Sequence, residues 1–469
     1  MISNKAESPD QKAEKTQWID TLPLNARRAF EEAVRKHSAG KYDEAVTHYS
    51  MALSMEPDDP VIWTNLGVAL RSQDKNKAAE MCYRRAIALK PDSPGSWSNL
   101  GNVLRRMGRL KEAVSCHRRA VELDRKFYDA YYNMGLVLQD LGKLDESIRI
   151  FDYCLKRKPG NVNINWDRSL ALLAKGDFLN GFEAYEYRWQ REELRERHFR
   201  QLLWDGSPLE GRRLFLYTEQ GFGDTLHFCR YVTEAARAGG KVVLECQPEL
   251  KSLLKGLEGL DDILSTGDPL PEFDVQAPLM SLPRIMKHDI DTIPNHCPYI
   301  KPPAQAGFPV HVPPGTRKKI GIAWAGKPTH KNDHNRSIGI EQFLTFSSIP
   351  GVTLYSLQKG PEIAQREGHA CGVLVRELAG GCDDFADTAK VMLQLDLIIT
   401  VDTSIAHLAG GLGLPVWVAV PYNPDWRWMR RRTDSPWYPT MTLFRQKKPG
   451  EWDTVFQAMY RKIRKEIGQ

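Results

Sequence analysis

The sequence predicts an α-helical solenoid followed by an α/β region of two doubly wound halves that face each other across a cleft. Three observations carry this. A 34-residue repeat runs through the first third of the chain. Near Arg213 the pattern changes to short apolar runs alternating with helical segments. Polar clusters then collect at the ends of those apolar runs, where open α/β sheets bind ligands.

The repeat is legible residue by residue. WTNLGVAL at Trp63, WSNLGNVL at Trp97 and YYNMGLVL at Tyr131 recur at a step of 34. Gly108, Gly142 and Gly176 keep the step, and Gly40 and Asp74 continue it upstream. So do Ala45, Ala79, Ala113 and Ser147, and Pro57, Pro91 and Pro159, with Arg125 in the missing proline slot. Small residues let paired helices approach, glycine releases the first helix and proline stops the second. The pattern resembles the tetratricopeptide repeat, whose helical hairpins stack around a concave groove. Three repeats are clear, a degenerate one flanks them on each side, and the last runs into FEAYEYRW at Phe182 to Trp189. Such a solenoid catalyses nothing itself. Asn65, Asn99 and Asn133 recur on the first helix of successive repeats. Either asparagine is simply common in that slot, or the amides form a ladder. The resemblance puts the slot on the concave face, where one acceptor and two donors per amide suit an extended protein backbone of any sequence. The intracellular N-acetylglucosamine transferases of animals are similar in holding protein substrates this way.

Beyond the repeats, RLFLYTE from Arg213, KVVLECQ from Lys241 and FDVQAPLMSLP from Phe273 read as strands of a first parallel sheet. The Pro- and Gly-rich stretch from Pro302 to Lys319 reads as a linker. IGIAWAG from Ile320, VTLYSLQ from Val352, LDLIITVD from Leu395, PVWVAVP from Pro415 and MTLFRQ from Met441 form a second series, closed by a helix near Trp452 to Ile467. The expected division is a disordered tail over 1–21, a repeat domain over 22–190, and α/β halves over 191–305 and 306–469.

Bulk properties narrow the classes. A chain of 469 residues exceeds one core. Its 26% charged and 42% hydrophobic residues are ordinary for a soluble globular protein. No apolar run is long enough to span a bilayer, and residues 1–10 lack the apolar core of a signal peptide. The eight cysteines show no CxxC pair or zinc spacing, and Cys82 and Cys116 fill equivalent repeat positions. The expected location is cytoplasmic. The net charge of +6 hints at anionic ligands and is poor evidence for nucleic acid.

The polar clusters are specific. QGFGDTLHFCRYV from Gln220 and VDTSIAHLAGGLGLPVW from Val401 look like the two signature segments of the heptosyltransferase-like glycosyltransferases, a family-9 group of GT-B fold. WAGKPTHKNDHNRSI, DFADTAKVMLQLDLIITVDTSIAHLAG and DWRWMRRRTDSPWYPTMTLFRQ look more like a subgroup fused behind tetratricopeptide repeats. The likeness runs from about Leu22 to the end. It implies an acceptor-side domain over 191–305, a nucleotide-sugar-binding domain over 306–469, and an inverting transfer. Some members of the subgroup are linked to glycosylation of bacterial surface proteins such as flagellin. The lipopolysaccharide heptosyltransferases lack the repeats, which puts a lipid acceptor in doubt.

The resemblance assigns roles that compete with plainer ones. Asp224, after Gly221-x-Gly223, is a helix N-cap or the general base for an acceptor hydroxyl, with both glycines opening the backbone to substrate. Asp402, Thr403, Ser404 and His407 cap a helix, or Thr403, Ser404 and His407 donate to a diphosphate while Asp402 orients a neighbour. Trp324 and the polar loop after it, with Lys327, Lys331, Arg336 and Ser337, is solvated surface or a clamp on the leaving group. Gln358 caps a strand end or reads a base edge. Asp425 to Trp428 and Asp434 to Tyr438 stack on a base or sugar, or pack the last helix across the cleft. Asp383-Asp384 reads as a helix-start pair, and no metal motif is present. The expected function is transfer from a nucleotide-sugar to a Ser or Thr hydroxyl of a protein held by the repeats, without metal or resident cofactor. The rivals are an inactive adaptor and a transferase acting on a lipid-linked saccharide.

Overall fold

The computed structural model describes residues 18–191, 197–330 and 332–468. The chain divides into two compact units, Met1–Ile164 and Asn165–Gln469. In the first, four antiparallel helix pairs follow one another: Leu24–Ser38 with Tyr42–Met55, Pro60–Ser72 with Asn76–Leu89, Pro94–Arg106 with Leu110–Leu123, and Tyr128–Asp140 with Leu144–Leu155.

The repeating residues explain this geometry. Ala45, Ala79, Ala113 and Ser147 are wholly buried. Gly67, Gly101 and Gly135 admit a ring from the second helix of the pair. A methyl group on any of them would lie 2.6–2.7 Å from Tyr83, His117 or Phe151. Between hairpin helices the chain takes a left-handed turn, with φ of 73° at Gly40, Gly108 and Gly142 and 57° at Asp74, which stands in the glycine slot. The Trp–Pro pairing also has a cause. The Trp63 and Trp97 indoles donate to the Pro57 and Pro91 carbonyls at 2.7 and 2.8 Å. In the next repeat both partners change together, to Tyr131 and Arg125. The tail expected over 1–21 is corrected at its end. Trp18 meets Phe30 edge-on at 5.2 Å and donates to Asp59 at 3.0 Å, so residues 18–21 belong to the ordered repeats. Residues 1–17 lie outside the described residues.

The second unit begins with the helices Val162–Lys175, which crosses the division, and Phe178–Tyr185. Two sheets with every ladder parallel follow. The first holds β1 (Leu202–Leu203), β2 (Arg213–Tyr217), β3 (Lys241–Cys246), β4 (Asp262–Ser265) and β5 (Val275–Pro278) in the order β1-β5-β2-β3-β4. The second holds β6 (Lys318–Ala323), β7 (Val352–Ser356), β8 (Val375–Glu377), β9 (Leu397–Val401), β10 (Val416–Val420) and β11 (Met441–Arg445) in the order β11-β10-β9-β6-β7-β8. That is a doubly wound order, with its switch between β6 and β9. In the first sheet the order reverses between β2 and β5. The expected linker is pinned to the helix Phe385–Met392 and the turn after it. Gly307 N donates to Asp387 at 2.6 Å and Val310 N to Gln394 at 2.9 Å.

Packing fixes both sheets. Leu214, Leu216 and Leu244 of the first and Ile398, Val416 and Val418 of the second belong to one buried cluster, completed by Phe178, Phe182, Trp426 and Trp437. The opposite face of the second sheet, Ile320, Ile322 and Ile399, packs against Phe456, Met459 and Ile463 of the last helix, Asp453–Glu466. That helix therefore covers its own sheet. The aromatic segments before it make the crossing between halves, which corrects the expectation that they pack the last helix across the cleft.

Candidate functional site

The two switch points meet. The helix Phe222–Phe228 leaves the end of β2, and Ser404–Gly411 leaves the end of β9. They pack against each other at Gly223, where an added Cβ would lie 3.1 Å from His407 Cδ2 and 3.8 Å from the Ser404 backbone. A glycine at 223 is what brings the two helix starts together.

Asp224 is the third residue of its helix, not the N-cap. Its Oδ2 reaches back to accept Gly221 N–H at 3.1 Å, as an acidic third residue does. Its Oδ1 accepts Arg427 Nη2 at 2.6 Å from the other half. Arg427 also donates through Nη1 and its backbone N to Asp425 Oδ1, at 2.9 and 3.0 Å. Its guanidinium lies 4.4 Å from the Trp426 ring centre and 5.6 Å from Phe228. The result is a carboxylate–guanidinium–carboxylate chain in which Arg427 is 7% exposed and the Asp224 side chain 24%. Burial raises the Asp224 pKa above the usual carboxylate range, and Arg427 opposes that rise. Arg445 shapes the segment that presents Arg427. It donates to the carbonyls of Trp428, Met429 and Arg432, and burial lowers its pKa to about 10.

Thr403 is the N-cap of Ser404–Gly411, and its hydroxyl lies 3.2 Å from that of Thr400. His407 is buried. Its Nδ1 lies 2.9 Å from the Tyr438 hydroxyl, and its ring stacks on Trp428 at 5.2 Å and 19°. Burial, reinforced by Arg427 and Arg230, pushes its pKa well below that of a free histidine, so the imidazole is neutral at pH 7. The Asp402 carboxyl rises to about 6, through burial first and the Asp425 charge second, with Arg336 opposing. Asp402 also offers its backbone carbonyl to Arg336 Nη1 at 3.1 Å.

After β6, Arg336 lies against Gly326 and bonds Asp333 at 3.3 Å. Ser337 bridges the loop, accepting Gly326 N–H at 2.9 Å and donating to Asp333 at 2.8 Å. Two expected contacts are corrected. Trp324 is fully buried in the core of the second sheet, so its ring cannot meet a ligand. Gln358 uses its whole amide on the backbone, accepting from Trp324 N and Ala325 N at 3.0 Å and donating to the Ala325 and Lys359 carbonyls. It fixes the loop and has no hydrogen left for a base edge. Lys327 is exposed, and Lys331 lies outside the described residues. Glu219, beside the Gly-Asp turn, is spent on the fully enclosed Arg188 at 3.0 Å.

In the first unit Asn65, Asn99 and Asn133 are half-buried at equivalent places on Pro60–Ser72, Pro94–Arg106 and Tyr128–Asp140. Asn65 Nδ2 donates to Val61 O at 2.9 Å within its own helix. The side-chain amides of Asn99 and Asn133 carry no hydrogen bond to the described residues. Also among the described residues, no group of three or more His, Cys, Asp or Glu side chains is placed to hold a metal ion, and no helix is long and apolar enough to cross a membrane.

The sequence places Asp425, Arg427 and Tyr438 only in aromatic segments that stack or pack, without their polar partners, and gives His227 no role. One signal was present: an arginine flanked by Trp426 and Trp428 is placed to stack, and a stacked, buried arginine needs a carboxylate.

Family models match the first unit. A family model described as TPR repeat matches residues 35–74, 69–108 and 101–142, and one described as tetratricopeptide repeat matches 128–161. The N-terminal region therefore carries tetratricopeptide repeats. Protein FlbA of Caulobacter vibrioides is 25% identical over 331 residues, 63% of this chain and 55% of its own length. The chain thus spans just over half of that relative. Among solved structures, the MamA protein is 23% identical with a TM-score of 0.32, covering 36% of this chain and 92% of its own. YrrB, a TPR protein with an unusual peptide-binding site, is 20% identical with a TM-score of 0.31, covering 40% of this chain and 94% of its own.

Proposed function

We propose that this chain is a glycosyltransferase of GT-B type. It moves a sugar from a nucleotide-sugar to a Ser or Thr hydroxyl of a protein recruited by the repeats. The observation that carries this reading is the pairing of Asp224, at one switch point, with Arg427 from the half that holds the other, at 2.6 Å. Doubly wound sheets bind ligands at such points. Here one contributes an acid, and the other contributes cations, hydroxyls and a helix start.

Asp224 takes the acceptor hydroxyl proton as the oxygen attacks the anomeric carbon. The bond from that carbon to the nucleotide diphosphate breaks, and negative charge builds on the leaving oxygen. His407, Thr403, Ser404, the N–H groups opening their helix and Arg336 receive that charge. Attack from the face opposite the leaving group inverts the anomeric centre. Arg427 orients Asp224 and favours its ionised form against burial. The nucleotide-sugar is a co-substrate, and the scheme needs no metal or resident cofactor. The unpaired amides of Asn99 and Asn133 suit a protein backbone. The sequence resemblance points to flagellin or another surface protein as acceptor. The eight free thiols suit a cytoplasmic enzyme.

Co-expression with candidate acceptors, read by intact mass, tests the proposal. The natural chain adds the mass of a sugar, and His407→Ala adds far less. If no candidate gains mass and no nucleotide-sugar raises the melting temperature, the chain is an adaptor.

A further inference from the structure

The Tyr438 hydroxyl lies between two imidazoles. It is 2.9 Å from His407 Nδ1 and 3.0 Å from His227 Nδ1. His227 is on Phe222–Phe228 and His407 on Ser404–Gly411, so one hydroxyl ties together the helices of the two switch points. The Tyr438 ring is closely packed. A Cβ on Gly410 would fall 2.3 Å from it, and the Arg230 guanidinium lies 4.5 Å from its centre. Arg230 is itself held by the carbonyls of Pro294 and Trp437 and by the Tyr299 hydroxyl. The Tyr299 hydroxyl is spent on the Leu226 carbonyl.

Proton counting decides what this arrangement can be. Both rings are buried, and burial lowers both pKa values well below that of free histidine, with Arg230 and Arg427 adding to it. Each neutral ring carries one N–H, and the hydroxyl has one hydrogen. The hydroxyl can donate to one Nδ1 while accepting from the other. The two far nitrogens break the tie. His227 Nε2 is enclosed with no partner, and a buried orphan N–H is rarer than a buried lone pair. His407 Nε2 is not so enclosed. That edge of the ring faces the Gly223 backbone, where the two helix starts meet.

We infer that Tyr438 is a positioning residue. It accepts the Nδ1–H of His227 and donates to Nδ1 of His407, which holds His407 as the Nε2–H tautomer, a neutral donor aimed at an anionic oxygen. The chemistry this selects is an acceptor such as a diphosphate, not a metal ion, which needs the bare nitrogen. The ligand half of the inference rests on the glycosyltransferase reading, whereas the tautomer half does not.

Long-range 1H–15N spectra of the full chain labelled at histidine nitrogens test it. At pH 7, His407 shows the Nε2–H pattern and His227 the Nδ1–H pattern. Tyr438→Phe keeps the ring and returns His407 to a tautomer mixture. His227→Phe, in an aromatic setting, leaves His407 as Nε2–H. The inference is overturned if His407 is Nδ1–H in the natural chain, or if Tyr438→Phe leaves its pattern unchanged. Titration with inorganic pyrophosphate is the second arm. It shifts the His407 Nε2–H signal, and affinity in Tyr438→Phe falls by the share of His407 that leaves the Nε2–H form, about twofold for an even mixture. If pyrophosphate leaves that signal in place while the tautomers stand as stated, the diphosphate reading fails and the positioning role of Tyr438 does not.

Discussion

Replacing Asp224 with asparagine asks whether this carboxylate is a base or part of a helix start. In the natural chain its two oxygens accept from Gly221 N at 3.1 Å and Arg427 Nη2 at 2.6 Å. Asparagine has one oxygen, so its amide nitrogen must face one of those donors. The oxygen stays with Arg427, where the bond is shorter and charge-assisted, and the Gly221 contact is lost. A lost helix-start bond costs about 1 kcal/mol. Arg427 is not stranded, because Asp425 still accepts from its Nη1. The expected destabilisation is about 1–2 kcal/mol, which lowers Tm by about 2–4 °C for each kcal/mol. Loss of a positioned base, by contrast, slows transfer about 10²–10⁴-fold. The two scales separate cleanly. Initial rates by mass spectrometry, with donor affinity by calorimetry and Tm on the same samples, measure both. A variant that transfers sugar at the natural rate would refute the base assignment and leave Asp224 a helix residue.

Four further outcomes are expected. Arg427→Met removes the cation that opposes the burial-raised pKa of Asp224, so the acid limb of the rate profile moves to higher pH; an unmoved limb separates the pair from catalysis. Asn65, Asn99 and Asn133 replaced together by alanine weaken acceptor capture in a pull-down and leave nucleotide-sugar affinity intact; unchanged capture removes the ladder. Activity survives excess EDTA, and loss rescued by manganese would show a metal-dependent transfer. His117 is buried in a slot where the other repeats carry Tyr49, Tyr83 and Phe151, and burial lowers its pKa to about 4. Between pH 6.5 and about 4 the unfolded chain binds a proton that the folded one does not, so stability falls as pH falls. His117→Phe removes that loss, worth up to about 3 kcal/mol. Hydrogen exchange in Pro94–Leu123 at pH 7 and pH 5 reads it, and equal protection at both pH values in the natural chain contradicts it.

The repeats and the main strands were legible because each residue there answers to a local rule. Gly, Ala and Pro recur at a fixed step, and apolar runs of five or six residues mark β2, β3, β6, β7, β9, β10 and β11. The short strands β1, β4 and β8 were not legible, since two to four residues at sheet edges carry no periodicity. The site divides the same way. The Gly-Asp turn and the Asp402–His407 segment stand at strand ends, which sequence shows. Arg427 and Tyr438 matter through partners about 200 residues away, a pairing no local pattern encodes. Gln358 and Trp324 misled for the converse reason. A polar or aromatic residue at a strand end looks available until the backbone groups and core around it are known.

The single buried cluster that takes in both sheets limits how the second unit can move. Phe178 stacks on Trp437 at 5.2 Å, and Phe182 meets Trp426 edge-on at 5.6 Å. Each such side chain contributes about 1.5–3 kcal/mol by staying out of water. Swinging the halves apart would wet several of them at once. It follows that the halves unfold as one cooperative body. A cut in the linker would leave them associated, and neither fragment expressed alone would hold its fold.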